Sequence, residues 1–244
     1  MKKLFRTIIL FVPLVFTACM GFPSAAEIQG SGKSASEDRP VQGISGVELT
    51  TFGDLTIQLG DQETLRIEAD DNLLSYIETP VRSGVLIIQT KSGTNLRPVK
   101  PVRYTLTLKS LHTVAVSSSG NIDVPAIQTG KLTTRISSSG NIHFASLQAD
   151  SLDVSISSSG NLEIDAGQVA QQNITITSSG EYSAGNVRSQ SADVRISSNG
   201  NATLWVTDSL NADLTSSGDV EYYGRPAITQ SMTSSGKVVS LGDK

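Results

Sequence analysis

The residues best placed for chemistry in this sequence are three ionisable side chains at intervals of 20 residues, Asp123, His143 and Glu163. If the intervals stack as coils about 4.8 Å apart, each of these side chains lies beside the next. The two carboxylates would then be roughly 10 Å apart, at or beyond the upper limit for the carboxylate pair of an inverting glycosidase. The column is therefore the best catalytic or metal-binding candidate, and the alternative is an ordinary solvated surface column.

The rest of the sequence lacks the motifs of known catalytic and cofactor sites. It holds no Cys/His cluster, no phosphate-binding loop, no Gly-x-Ser-x-Gly elbow and no calcium-binding repeat. We therefore predict no catalytic residue, no metal and no cofactor. A net charge of −4 without a basic patch argues against a nucleic-acid partner. Arg135 and Arg195 occupy one outward position of the repeat, but three coils separate them, too far for a single site.

The N-terminus indicates export. Residues 1–18 combine a positively charged start with a short apolar run, which is typical of a secretory signal peptide rather than a membrane span. The segment leads into Phe16-Thr17-Ala18-Cys19, which resembles a bacterial lipobox. We therefore expect a lipid on Cys19, the only cysteine, that holds the protein at a membrane, and specifically the outer membrane. The alternative is cleavage before Glu27, which would release a soluble protein.

An internal repeat dominates the C-terminal half. A Ser-Ser-Gly corner, Ser-Asn-Gly in one copy, recurs with spacings of 20 and finally 18 residues; its glycines are Gly120, Gly140, Gly160, Gly180, Gly200, Gly218 and Gly236. Positions at an even distance from each glycine are apolar and those at an odd distance are mostly polar, which is the alternation of strands with one buried face. A 20-residue period predicts one coil per repeat. The expected fold is therefore all-β, a parallel β-helix or β-solenoid.

Three segments of the exported chain differ in pattern. Residues 19–39, rich in Gly, Ser and Ala, are predicted to be a flexible tether. Residues 40–115 alternate less regularly and predict an irregular N-terminal β cap, with one helical turn over 71–76. Residues 116–244 are predicted to form the repeat solenoid.

Two outward features of the predicted solenoid could bind a ligand. One is an asparagine ladder directly after the corner glycines: Asn121, Asn141, Asn161 and Asn201. Such a polar ladder suits extended contact with a glycan or another protein. The other is Trp205, which could stack on a sugar or instead cover the flank of the solenoid.

The corner Ser118-Ser119-Gly120-Asn121-Ile122, its copies and the earlier strand Gly84-Val85-Leu86-Ile87-Ile88 resemble the bacterial head GIN domain family of adhesin-like envelope proteins. The resemblance covers about residues 41–240. It implies a right-handed β-helix-like fold and frequent envelope lipoproteins, with no established catalytic residue. We therefore expect a non-enzymatic envelope lipoprotein with a binding or structural role. The alternatives are a polysaccharide-active β-helix enzyme and a self-assembling protein whose solenoid ends pair.

Overall fold

The computed structural model describes residues 25–244, and most of this span is β-structure. Within it there is no α-helix, and a single 3-10 turn at Leu74–Tyr76 confirms the helical turn expected over 71–76. The strands are β1 Ala26–Gln29, β2 Ser34–Pro40, β3 Gly46–Leu49, β4 Asp54–Leu59, β5 Thr64–Asp70, β6 Ile77–Glu78, β7 Val81–Arg82, β8 Val85–Thr90, β9 Thr94–Arg97, β10 Arg103–Leu108, β11 Thr113–Val116, β12 Asn121–Ile136, β13 Asn141–Ile156, β14 Asn161–Ile164, β15 Gly167–Ile176, β16 Glu181–Ile196, β17 Asn201–Leu214, β18 Val220–Tyr223, β19 Ala227–Met232 and β20 Val238–Ser240.

Strands β11 to β20 wind as a parallel β-solenoid, which confirms the predicted fold class. Along β12 and β13 each residue faces the one 20 positions later, from the pair Asn121 and Asn141 to the pair Ile136 and Ile156. The same offset continues through β14, β15 and β16. Residues at one position of the repeat therefore stack as columns that run along the solenoid axis.

The even positions form the core. In β12 the side chains of Ile122, Val124, Leu132 and Ile136 are at most 2 % exposed. Burying a side chain of this size contributes roughly 1.5–3 kcal/mol. Neighbouring coils cover these side chains above and below, so a coil acquires a buried core only within the stack.

The glycine corner is set by close approach between coils. A Cβ on Gly140 would lie 2.4 Å from the carbonyl oxygen of Gly120, and one on Gly160 would lie 2.2 Å from that of Gly140. Neither glycine has a positive φ. The corners therefore require glycine for space and not for an unusual backbone conformation. In the first corner Ser118 Oγ donates to the Thr51 carbonyl oxygen at 2.5 Å.

The last coils are two residues shorter than the others. Between β16 and β17 the offset falls from 20 at the pair Ala184 and Leu204 to 18 at the pair Ser191 and Ser209. The register shifts lie between these pairs, so one side of the coil absorbs the change. The corner itself is kept, because the Gly218 N–H bonds the Ser198 carbonyl oxygen at 3.0 Å.

The N-terminal cap is built on the same parallel ladder. β3 lies beside β11, and β4 lies beside the start of β12. The turn between β3 and β4 therefore sits under the first Ser-Ser-Gly corner, so the coil stacking begins before residue 116. β8 and β10 continue the ladder beneath β3 and β4, and the antiparallel strands β5 and β2 follow β10 in the sheet.

The flexible tether predicted over 19–39 is wrong for its described part. β1 pairs in parallel with β9, and β2 pairs antiparallel with β5. The side chains of β2 are largely exposed, because it is an edge strand held by backbone hydrogen bonds, and this explains its misleadingly polar composition. Arg39 reinforces the pairing by donating to the carbonyl oxygens of Ile77 at 2.7 Å and Leu74 at 2.9 Å.

A buried carboxylate ties the same segment to the cap. Asp70 is fully buried and accepts hydrogen bonds from the backbone N–H groups of Gly32 at 2.7 Å, Val99 at 2.8 Å and Lys100 at 3.1 Å. Burial alone would raise the pKa of Asp70, but the three N–H donors outweigh burial and hold the pKa below its ordinary value.

The predicted signal peptide, residues 1–18, and the predicted lipid site, Cys19, lie outside the described residues. β1 begins at Ala26, seven positions after Cys19 in the sequence. Between residues 25 and 244 no helix combines the length and apolarity that crossing a membrane requires.

Candidate functional site

The predicted ionisable column exists, but its contacts differ from the expectation. Asp123, His143 and Glu163 face one another on β12, β13 and β14. His143 Nδ1 lies 3.3 Å from Asp123 Oδ1, while His143 Nε2 lies 3.0 Å from Asp165 Oδ2. No hydrogen bond or ion pair in the described part of the chain involves the Glu163 side chain. The structure therefore groups His143 with Asp123 and Asp165.

Asp165 was missed because it lies diagonally across from His143. It is one coil later and two residues further along than the directly opposite Glu163. β14 ends at Ile164, so Asp165 follows the strand end, where the chain turns before β15. The sequence feature that could have identified Asp165 is its acidic side chain, at a position that holds Pro125 and Ala145 in the two preceding coils.

This cluster is an exposed contact of one imidazole with two carboxylates. The side chains of His143, Asp123 and Asp165 are 38 %, 58 % and 51 % exposed. The hydrogen bond to Asp165 is the main cause that raises the pKa of His143, and Asp123 adds a smaller effect in the same direction. Residues 25–244 contain no group of three His, Cys, Asp or Glu side chains arranged to hold a metal ion.

The asparagine ladder is partly bonded to itself. Asn161 Nδ2 donates to Asn141 Oδ1 at 3.1 Å, Asn141 Nδ2 donates to Asn121 Oδ1 at 3.0 Å, and Asn121 Nδ2 donates to Asp54 Oδ1 at 2.9 Å. Glu181 interrupts the column, so Asn201 stands apart and accepts from the backbone N–H of Asp219. Each of the first three amides thus donates to a neighbouring coil. A ligand-binding role of this ladder stays a prediction.

Trp205 lies on the flank of the last coils and is half-buried. In the ladders it faces Arg188 on one side and Tyr223 on the other. The Lys244 ammonium covers the Tyr223 ring at 4.2 Å from its centroid. The structure therefore places Trp205 in a local cluster of side chains, away from the first three asparagines.

The side of the solenoid formed by residues 113–117 and their counterparts in later coils presents stacked hydroxyl groups, and we call it the hydroxyl face. Its most regular column follows the strand ends, where each backbone N–H bonds the preceding coil at 2.9–3.0 Å. The column consists of Ser117, Ser137, Ser157, Thr177, Ser197, Thr215 and Thr233. Within residues 25–244, only Ser117 among them uses its hydroxyl in a hydrogen bond, to Glu48 at 3.3 Å.

A second outward column of the hydroxyl face carries charge. Glu48 of β3 faces Ala115, which faces Arg135 in the next coil. Further along, Arg195 faces Asp213. Ala115 is the shortest side chain in the column and leaves a depression between Glu48 and Arg135.

Where the hydroxyl face meets the cap, a groove of about 390 Å³ opens, and we call it the cap groove. The β7–β8 hairpin contributes one wall through Arg82, Val85 and Ile87, and Ala115 lies on the coil side. The remaining lining residues are Glu48, Thr113, Val116, Ser117, Arg135, Ile136, Ser137, Ser155 and Ser157. Sequence reasoning missed this groove because Arg82 and Arg135 are far apart in the chain and no repeat relates them.

A family model described as "putative auto-transporter adhesin, head GIN domain" matches residues 44–226, which span the cap and most of the solenoid. The chain belongs to the head GIN domain family. The family description indicates an adhesin-like role and an extracellular or envelope location. No curated protein matches the chain.

Solved structures share this head GIN domain fold. A "putative adhesin" of Bacteroides fragilis NCTC 9343 matches with a TM-score of 0.79 at 23 % identity, over 88 % of this chain and 100 % of its own. A "putative adhesin" of Parabacteroides merdae ATCC 43184 gives 0.72 at 23 %, over 89 % and 100 %. A "putative lipid binding protein" of Parabacteroides distasonis ATCC 8503 gives 0.70 at 23 %, over 88 % and 99 %. At this identity the likeness shows the fold alone.

Proposed function

We propose that this head GIN domain is a non-enzymatic, adhesin-like envelope protein that binds a polymeric partner, a glycan or a protein, along its hydroxyl face. The observation that carries the proposal is the row of stacked hydroxyls from Ser137 to Thr233, to which no described residue makes a hydrogen bond. A hydroxyl both donates and accepts hydrogen bonds, so a regular row suits a repeating polar partner. The flat sheet beneath keeps the row ordered before binding.

The attachment to the membrane is part of the same proposal. A diacylglyceryl group on Cys19 would hold the protein at the outer membrane. Six residues separate Cys19 from β1, so the distance from Cys19 to Ala26 is at most about 25 Å when the chain is fully extended. β1 pairs with β9 of the cap. The cap would therefore stay close to the membrane, with the later coils further away.

Lipid attachment at Cys19 is tested by the intact mass of native protein extracted from membranes. A chain that begins at Cys19 and carries added acyl mass supports it, and Cys19→Ala should then move the protein to the soluble fraction. A chain that begins at Glu27 without lipid contradicts lipid attachment and leaves binding along the hydroxyl face to be tested separately.

Binding along the hydroxyl face is tested by two matched double variants. Thr177→Leu with Ser197→Leu removes two exposed hydroxyls on adjacent coils of the face. Gln148→Leu with Gln168→Leu makes a similar change on adjacent coils of another side, where both residues are also exposed. Immobilised bacterial surface polysaccharides and envelope proteins serve as probes. We expect at least a tenfold loss of binding for the first variant only, and equal binding by both variants would contradict the proposal.

The alternative activity, polysaccharide cleavage, has one specific observation in its favour, the contact of His143 with two carboxylates. Release of new reducing ends or unsaturated sugars from the same polysaccharides would support it if the release is lost in His143→Gln and Glu163→Gln. The exposure of all three contacting side chains favours the binding role, since catalytic carboxylates depend on burial to tune their pKa values.

A further inference from the structure

The cap groove contains two arginines that form no ion pair in the part of the chain that the structure describes. Arg82 and Arg135 both line it, and neither guanidinium has a hydrogen bond or ion pair with any residue between 25 and 244. Other arginines of the cap, including Arg39 and Arg66, do form ion pairs with carboxylates. A guanidinium group without an ion pair can bind an anionic group, because the planar fork of arginine matches a carboxylate with two parallel hydrogen bonds.

The rest of the lining suits a sugar. Ser137, Ser155 and Ser157 offer hydroxyls that have no partner within the described chain. Ala115 supplies a small apolar floor for the C–H side of a ring, and the partly buried Val85 and Ile87 line the cap side of the groove. The volume of about 390 Å³ falls within the usual range for small-ligand sites.

Glu48 determines toward which end of the groove the acid group of a ligand should lie. It lies two coils from Arg135 in the same column, with Ala115 between them. A carboxylate on the ligand is attracted to Arg135 and repelled by Glu48, whereas the oxygens of Glu48 can accept hydrogen bonds from sugar hydroxyls. The acid group should therefore lie toward Arg135.

A peptide strand fits this groove less well than a saccharide. β3 is paired on both sides, with β8 and β11, and β11 is paired on both sides, with β3 and β12. These two strands therefore offer no free edge to which an extended peptide could add. Apart from the charged side chains, the hydrogen-bonding side chains that line the groove are hydroxyls, which match the hydroxyls of a sugar.

We propose that the cap groove binds a carboxylate-bearing saccharide, with Arg135 holding the carboxylate and Ser137 and Ser157 bonding ring hydroxyls. This inference rests on the hydroxyl face as the binding surface and names the ligand class at its cap end. It places the strongest contact of an acidic polymer beside the cap, with the hydroxyl row extending the contact along the solenoid.

The test compares full-length protein with two arginine variants of the same column. Arg135→Ala changes the groove, and Arg195→Ala changes an equally exposed arginine three coils away. The probes are oligogalacturonate, neutral galactose oligosaccharide and polyglutamate, measured by titration calorimetry. We expect oligogalacturonate alone to bind, at least tenfold more weakly to Arg135→Ala and unchanged to Arg195→Ala. Unchanged thermal unfolding of the variants confirms that they fold.

Three results would overturn the inference. Equal weakening by Arg135→Ala and Arg195→Ala would mean that net charge alone attracts the probe. Binding of polyglutamate as tight as that of oligogalacturonate would mean that the groove recognises acid and not sugar. Absence of oligogalacturonate binding would remove the ligand class, while the Thr177 and Ser197 variant reports on the proposed function independently.

Discussion

The asparagine ladder and the hydroxyl face have the same period but use their polar groups differently. Asn121, Asn141 and Asn161 donate their side-chain amides to one another and to the cap. Ser137 and Ser157, on the hydroxyl face, have no side-chain partner within residues 25–244. A ladder whose groups bond one another contributes to the stability of the stack, whereas a ladder with free groups has bonding capacity left for a ligand. Periodicity therefore marks both ladders, and only their contacts tell them apart.

The largest loss of stability is expected at the glycine corner beside the asparagine ladder. Gly160→Ala places a methyl group 2.2 Å from the Gly140 carbonyl oxygen, so two coils must separate locally. We expect the free energy of unfolding in urea to fall by about 3 kcal/mol, the upper end for overpacking. Gly130→Ala is the matched control, since its new methyl group meets nothing closer than 3.6 Å. Equal losses in the two variants would show that the corner is not closely packed.

A smaller loss of stability is expected when one side chain is removed from each of the two ladders. Asn141→Ala leaves Asn121 Oδ1 and Asn161 Nδ2 without their partner, and we expect a loss of about 1 kcal/mol in the free energy of unfolding. Ser137→Ala removes a hydroxyl without a partner and should cost less than about 0.5 kcal/mol. Urea unfolding of both variants measures the difference, and the reverse order would contradict the assignment of the ladders.

The same pair of variants also tests the ligand-binding role predicted for the asparagines. If the ladder is structural, Asn141→Ala binds the polymeric partner as well as the unmodified protein does, and Ser137→Ala binds it more weakly. Loss of binding in Asn141→Ala at unchanged fold would instead support the asparagines as the contact surface.

The smallest expected effect concerns the exposed contact of His143. Its folded pKa is raised, so protonated His143 contributes stability at pH values below its unfolded pKa, and the contribution is lost as the pH rises through the folded pKa. The side chain is partly exposed, so the change in stability should be slight. NMR titration should show a lower His143 pKa in Asp165→Asn than in Asp123→Asn, because Asp165 is the larger cause. The opposite order would restore the directly stacked Asp123 as the main partner.

The flat faces of the solenoid were predictable because strand alternation is a local property. Ile122 and Val124 point inward and Asp123 points outward in any strand with one buried face, and a fixed period stacks equal positions. β2 was not predictable by the same rule, since its residues bury little apolar surface and its pairing partner β5 is remote in sequence.

What the sequence determined by itself is the all-β solenoid, its 20-residue coil, its inward columns and its small corners, because all of these follow from short-range periodicity. Only the tertiary structure decided that His143 contacts Asp165 in place of Glu163, that the first asparagines bond one another, and that Arg82 and Arg135 share a groove. These contacts depend on how side chains lean across coils and on how the cap hairpin pairs with distant strands. Such directions are set by packing between remote segments, and no local pattern encodes them.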